Sequence, residues 1–274
     1  MSVKKIILIF LLSSVLFFSG TTIVFSGSMV KTIALSHELF ITNIEKDVYV
    51  INHKFPWPAN SLLVTYDGKE AVLVDTPYNN QATKLLLDWI ESRFPGIKIV
   101  AISTGFHSDN LGGNGYLKQK GIAIYGSQLT LKLLKERSEN TRSKLLMWLN
   151  KPALKKYYDA HATAKYIGPT KLFSLESSCS FMVDGKRVQL FYPGPNHTSD
   201  NFVVYFPDKK ILFGGCTVKA AGSKRLGFIE DADIKSWKVA LEKLLAKYAE
   251  AAVVVPGHGK YGGTELIKGT LTLF

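Results

Sequence analysis

Apolar positions follow two rhythms along the chain. Leu39–Ile44, Val48–Ile51, Ser61–Tyr66 and Ala71–Val74 are short runs rich in β-branched and aromatic residues, and Asp67-Gly68 separates the last two. Such runs around an Asp-Gly pair predict strands and a hairpin. From Gln81 to Arg93 the rhythm changes. Leu85, Leu86, Trp89 and Ile90 recur at helical spacing, and Pro95-Gly96 closes the segment. A buried strand over Ile97–Ser103, a helix over Gly112–Lys120 and a strand over Ile122–Tyr125 follow.

Gln128–Lys135 and Ser143–Tyr158 read as two amphipathic, Lys-rich surface helices, and then the pattern restarts. Ser180–Val183 and Arg187–Tyr192 flank Asp184-Gly185, and Asn201–Phe206 and Lys210–Phe213 flank Pro207-Asp208. A helix over Ile234–Tyr248, a buried strand over Ala251–Val255 and a last helix over Gly262–Leu273 complete the chain. Each half therefore gives hairpins, a helix, and a strand that ends in a histidine-bearing loop. The pattern predicts an α/β fold with two sheets packed face to face and helices outside, in a single domain over residues 29–274. His53–Ala59 (HKFPWPA) reads as a loop with an apolar tip, either packed back on the sheet or lying over a cleft. His53 is expected on its surface.

Composition adds three points. A 274-residue chain with 46% hydrophobic residues can bury a sizeable core. Lys4 and Lys5 precede an apolar block, Ile6–Phe18, and small residues follow around Ser26-Gly27-Ser28. That order predicts a signal peptide over residues 1–28 and export to a periplasm, with no stable membrane association once it is removed. The net charge of +12 comes from lysines spread along helical stretches, without an Arg-rich tract. It predicts a solvated basic face and argues against nucleic acid as a partner. Of the two cysteines, Cys179 reads as a small buried hydrophobe. Cys216 ends a strand at Gly214-Gly215, a place better suited to a ligand than to a bridge.

Chemistry gathers at such strand ends. His107 and Asp109 follow Ile97–Ser103, His197 follows Pro193-Gly194-Pro195, Cys216 follows Gly214-Gly215, and His258 follows Pro256-Gly257. Imidazole, thiolate and carboxylate are zinc ligands, and five of them in the same local setting predict a metal site assembled by the fold.

The motifs LVDTP (Leu73 to Pro77), GFHSDNLGG (Gly105 to Gly113), PGPNHTSDN (Pro193 to Asn201), GGCTVK (Gly214 to Lys219) and PGHG (Pro256 to Gly259) resemble those of the zinc-dependent β-lactamases of the metallo-β-lactamase superfamily. The likeness runs from about Val48 to the end of the chain. Cys216 followed by Lys219, and Asn110 rather than a histidine after Asp109, separate the chain from the superfamily's thioesterases, lactonases and nucleases.

The resemblance implies an αββα sandwich, a monomer, and hydrolysis of a β-lactam. Asp109, Cys216 and His258 would hold one zinc, and His107 and His197 would be two of three histidines at another. Lys219 would receive the substrate's carboxylate, and His107 or Asp109 would act as base. The third histidine is replaced by Gly105, which implies one tightly bound zinc, room for a weaker second, and a narrowed, carbapenem-directed specificity. Asn110 and Phe228 stand where relatives often have a basic residue and an Asn near the substrate carbonyl. Another hydrolase of the superfamily and an inactive zinc-binding relative are the competing readings.

Overall fold

The computed structural model describes residues 31–176 and 179–274. The expected signal peptide lies outside the described residues. The first sheet begins with β1 (Lys31–Ala34), β2 (Leu39–Glu45), β3 (Val48–Lys54), β4 (Pro58–Tyr66) and β5 (Glu70–Val74), a meander of antiparallel strands. Helix α1 (Asn80–Arg93) crosses over to β6 (Lys98–Ile102), which pairs parallel to β5. The short helices α2 (Ser108–Leu111) and α3 (Asn114–Gln119) lead to β7 (Ile124–Ser127). The long α4 (Gln128–Leu149) and α5 (Lys155–Thr163) lead to β8 (Lys171–Phe173), the last of eight strands.

The second sheet takes the order β13-β12-β11-β10-β9. Its strands are β9 (Cys179–Val183), β10 (Lys186–Phe191), β11 (Val203–Phe206), β12 (Ile211–Gly215) and β13 (Val253–Pro256). Helix α6 (Ile234–Lys247) links β12 to β13, which pair in parallel, and α7 (Glu265–Leu271) ends the fold.

Side-chain alternation builds the layers, because successive residues of a strand face opposite sides. Val48, Val50, Leu62, Val64, Val72 and Val74 point between the sheets and meet Val188, Leu190, Val204, Phe206, Ile211 and Phe213. Their neighbours Tyr49, Ile51, Leu63, Ala71 and Leu73 point outward against Leu86, Leu87 and Ile90 of α1. On the far side Val203, Leu212 and Val254 receive Trp237, Leu241 and Leu244 of α6. The result is the αββα sandwich expected from the pattern.

Three expectations need correction. The two surface helices expected at Gln128–Lys135 and Ser143–Tyr158 are instead α4 and α5, divided at a short 3₁₀ turn over Pro152–Leu154. The polar stretch between them continues the helix, because Arg137 and Thr141 bind Asp231 of a neighbouring loop instead of solvent. His53 is a buried strand residue; its Nδ1 accepts the Tyr78 backbone N–H at 3.1 Å and its ring stacks on Phe55. Cys179 is only half-buried, at the edge strand of the second sheet, and both cysteines are free. The apolar tip at Phe55–Trp57 serves both suggested ends: Phe55 packs back among His53, Tyr78 and His161, while Trp57 lies over a pocket.

Candidate metal centre

Four chain segments converge beyond the ends of strands. The loop after β6 brings His107, which precedes α2, and Asp109 in the first turn of that helix. His197 lies in the loop between β10 and β11, Cys216 directly follows β12, and His258 follows β13. The last two meet because a glycine lies between them. Gly257 donates its N–H to the Gly215 carbonyl at 2.6 Å, and a Cβ at 257 would fall 2.7–2.9 Å from backbone and sulfur atoms of Cys216.

Asp109, Cys216 and His258 form a triad whose ligand atoms all lie within 4.8 Å of one another. The Cys216 thiol donates to Asp109 Oδ2 at 3.2 Å, and His258 Nε2 lies 3.0 Å from the same oxygen. His258 Nδ1 donates to the Pro58 carbonyl at 2.7 Å, which orients the ring with Nε2 toward the site. Burial disfavours the Asp109 carboxylate, but the His258 hydrogen bond and the nearby imidazoles outweigh it and hold the group well below the usual carboxylate range. Burial and the Asp109 charge push the Cys216 thiol up. A carboxylate, a thiol and an imidazole converging in a buried place fit zinc, whose charge would stabilise the thiolate that burial opposes.

The other two predicted ligands stand beside this triad. The rings of His107 and His197 meet edge to face at 5.3 Å. His107 Nε2 donates to Asp231 Oδ2 at 2.9 Å, so its Nδ1 is the nitrogen left for other work. His197 Nδ1 is buried with no hydrogen-bond partner among the described residues.

At Gly105, where the sequence resemblance expects a histidine, the space a side chain would take is filled. A Cβ there would lie 2.1 Å from Asn201 Nδ2 and 3.0 Å from Asn110 Oδ1. Asn201 is held by its own bond to the Thr104 carbonyl at 3.2 Å. Asn110 donates to Asp75 Oδ2 at 2.8 Å, and Asp75 also accepts from the backbone N–H and hydroxyl of Thr104 at 2.7 and 2.8 Å.

A family model, the metallo-beta-lactamase superfamily, matches residues 55–258. The chain is 32% identical to a metallo-beta-lactamase type 2 of Bacteroides fragilis over 246 residues, covering 88% of this chain and 87% of that protein. A metallo-beta-lactamase type 2 of Pseudomonas aeruginosa is 35% identical over 76% of this chain and 71% of its own length. Among solved structures, a metallo-beta-lactamase from Pontibacter korlensis superposes with a TM-score of 0.71 at 33% identity, covering 86% of this chain and 98% of that one. The chain belongs to the metallo-β-lactamase superfamily.

In this metallo-β-lactamase fold Asp109 and His258 of the triad and both other histidines border a pocket of about 430 Å³, whose lining also includes Trp57 and Phe228. Lys219, the sixth predicted residue, lines it too. Its ammonium lies over the Trp237 ring at 5.0 Å and makes no ion pair with a carboxylate among the described residues. Burial lowers its pKa, partly offset by Cys216 and Asp109. A half-buried cation that pairs with no carboxylate among the described residues could receive an anionic group.

Sequence reasoning missed the residues that orient these groups. Asp231 binds His107, Arg137 and Thr141 together. Burial pushes the Asp75 carboxyl up to about 8 even against its three donors. Asp75 stands in the quoted LVDTP motif, whose tight end was the available signal. Nothing local marked Asp231, whose partners lie on α4 and, at His107, just before α2.

Proposed function

We propose that this chain is an exported, monomeric hydrolase that opens the amide of β-lactams with one tightly held zinc in the Asp109–Cys216–His258 triad, on a narrowed set of substrates that includes carbapenems. The observation that carries the reading is the convergence of three unlike zinc donors beneath a pocket with a free cation, Lys219, along its wall. Homology to enzymes named metallo-beta-lactamases supports the substrate class. The basic and apolar residues 4–18 support export.

Asp109, Cys216 and His258 would hold the zinc, which would supply Lewis acidity, lowering the pKa of water to ~7 and favouring negative charge developed nearby. The rest falls to the protein. Lys219 binds the substrate's carboxylate and so orients the strained amide over the triad. His107 is the better of the two candidate bases. The bond from Nε2 to Asp231 fixes its tautomer and leaves the Nδ1 lone pair to act as base, whereas Asp109 is already bonded to Cys216 and His258. Phe228, edge to face with His107 at 5.5 Å, keeps that side of the site apolar.

Gly105, with Asn201 and Asn110 across its space, supports the single-zinc reading and sets the chain apart from a complete three-histidine site. The test is hydrolysis of a chromogenic cephalosporin and a carbapenem by zinc-reconstituted protein, by chelator-treated protein and by Cys216→Ala. Turnover by the first alone is expected. Zinc-loaded protein that hydrolyses neither substrate would overturn the reading.

A further inference from the structure

Arg137, Thr141, Lys144 and Trp148 stand four, three and four residues apart on α4, so they form one stripe along the helix. Each meets the same loop. Arg137 Nη2 pairs with Asp231 Oδ1 at 2.6 Å, and Thr141 Oγ1 donates to Asp231 Oδ2 at 2.8 Å. Lys144 Nζ pairs with Glu230 Oε2 at 2.5 Å, and the Trp148 ring packs edge to face on Phe228 at 5.5 Å. Three polar clamps on two successive acidic residues hold the loop, and the fourth contact sets an indole against it. Phe228 in turn rests on His107.

This arrangement leaves a particular wall. Trp148 is 46% exposed and Trp57, whose ring meets it edge to face at 6.1 Å, is 38% exposed. Both line the cavity, as does Leu145 of the same helix as Trp148. Two large aromatic faces left partly open beside a site mark a place where apolar surface is to be covered. The cations of the cavity, Lys219 and Arg225, belong to other segments, and the one Lys on the stripe is already paired with Glu230. A charged group laid against Trp148 would lose hydration and find the cations of the stripe, Arg137 and Lys144, already paired, whereas a flat uncharged ring would find stacking faces.

We propose that Trp148 is a specificity-determining residue: with Trp57 and Phe228 it receives a planar, uncharged substituent on the acyl side of the substrate, and the Arg137–Thr141–Lys144 clamps hold that receptor rigid. The proposal rests on the β-lactam reading for its substrate class. It concerns choice among side chains on one ring nucleus and is independent of which nuclei are accepted.

The test compares two cephalosporins that differ only in the acyl group, thienylacetyl and acetyl, on the zinc-loaded full chain. The KM of the thienylacetyl compound should be about tenfold lower, with kcat values within threefold, because stacking and apolar burial act on both the bound and the reacting states. Trp148→Ala should bring the two KM values within about twofold, and Trp148→Phe should restore most of the difference. A second measurement does not need turnover. Quenching of tryptophan fluorescence by N-phenylacetylglycine should saturate at about tenfold lower concentration than by N-acetylglycine, and Trp148→Ala should remove that gap. If no β-lactam is hydrolysed but the binding gap and its loss are seen, the receptor stands and the substrate reading falls. Equal KM values in the unaltered protein, equal binding of the two acylglycines, or a preference that survives Trp148→Ala would each overturn the proposal.

Discussion

Placing a histidine at position 105 tests the proposal that this chain holds a single zinc tightly. The substitution Gly105→His places a Cβ where Asn201 Nδ2 now lies, 2.1 Å away, so the amide must swing aside. Swinging breaks its bond to the Thr104 carbonyl, a buried pairing at 3.2 Å. Leaving a buried polar group unpaired costs about 1–3 kcal/mol. In a domain of this size that corresponds to a thermal midpoint lower by roughly 2–12 °C. The expected outcome has two parts. With chelator present, Gly105→His melts below the unaltered protein by that margin. With excess cobalt(II), a second ion binds that the unaltered protein does not retain, and the midpoint recovers as binding to the native state stabilises it. Calorimetry in both conditions, beside a spectroscopic cobalt titration, reads both parts. An unchanged midpoint in chelator would show that Asn201 yields its place freely. An unchanged stoichiometry would show that the missing imidazole is not what limits the second site.

Three further outcomes follow from other groups. Lys219→Met should raise KM for a β-lactam at least tenfold in steady-state kinetics while leaving the thermal midpoint level or higher, because the ammonium lacks an anionic partner in the free protein; a fall in kcat at unchanged KM would contradict the carboxylate role. Burial holds His53 neutral and takes its pKa from 6.5 to about 4. A base depressed in this way contributes stability that is complete above pH 6.5 and declines as pH falls toward 4, by about 3 kcal/mol in all. Denaturant unfolding across that window should show the decline, and His53→Asn should flatten it; an unaltered slope would exclude His53 as the group. Cys216→Ser should lose the tightly held zinc on dialysis against a weak chelator, measured by metal analysis, because a hydroxyl replaces the thiolate donor; retention of a full equivalent would remove Cys216 from the site.

The candidate ligands stood out in the sequence because each sits where a strand gives way to a Gly- or Pro-rich turn, and the two-layer fold was legible because alternation in Val48–Ile51, Ser61–Tyr66 and Ala71–Val74 matches residues facing the second sheet and α1. What could not be read was contact between distant segments. His53 looked like a loop residue until Tyr78 and Phe55 closed over it. The polar stretch in α4 looked like a break until Asp231 supplied partners for it. Gly105 was visible as an absent ligand, but the amide of Asn201, 96 positions later in the chain, is what fills its space. Spacing reports backbone geometry well and long-range hydrogen bonding hardly at all.

The central claim is that one zinc at the Asp109–Cys216–His258 triad suffices for β-lactam hydrolysis. Titrating metal-free protein with zinc while following hydrolysis of a chromogenic cephalosporin tests it directly. The account predicts that the rate rises linearly and levels off at one equivalent. A rate that stays at zero through the first equivalent and rises only with the second, or no hydrolysis at any ratio, would contradict it.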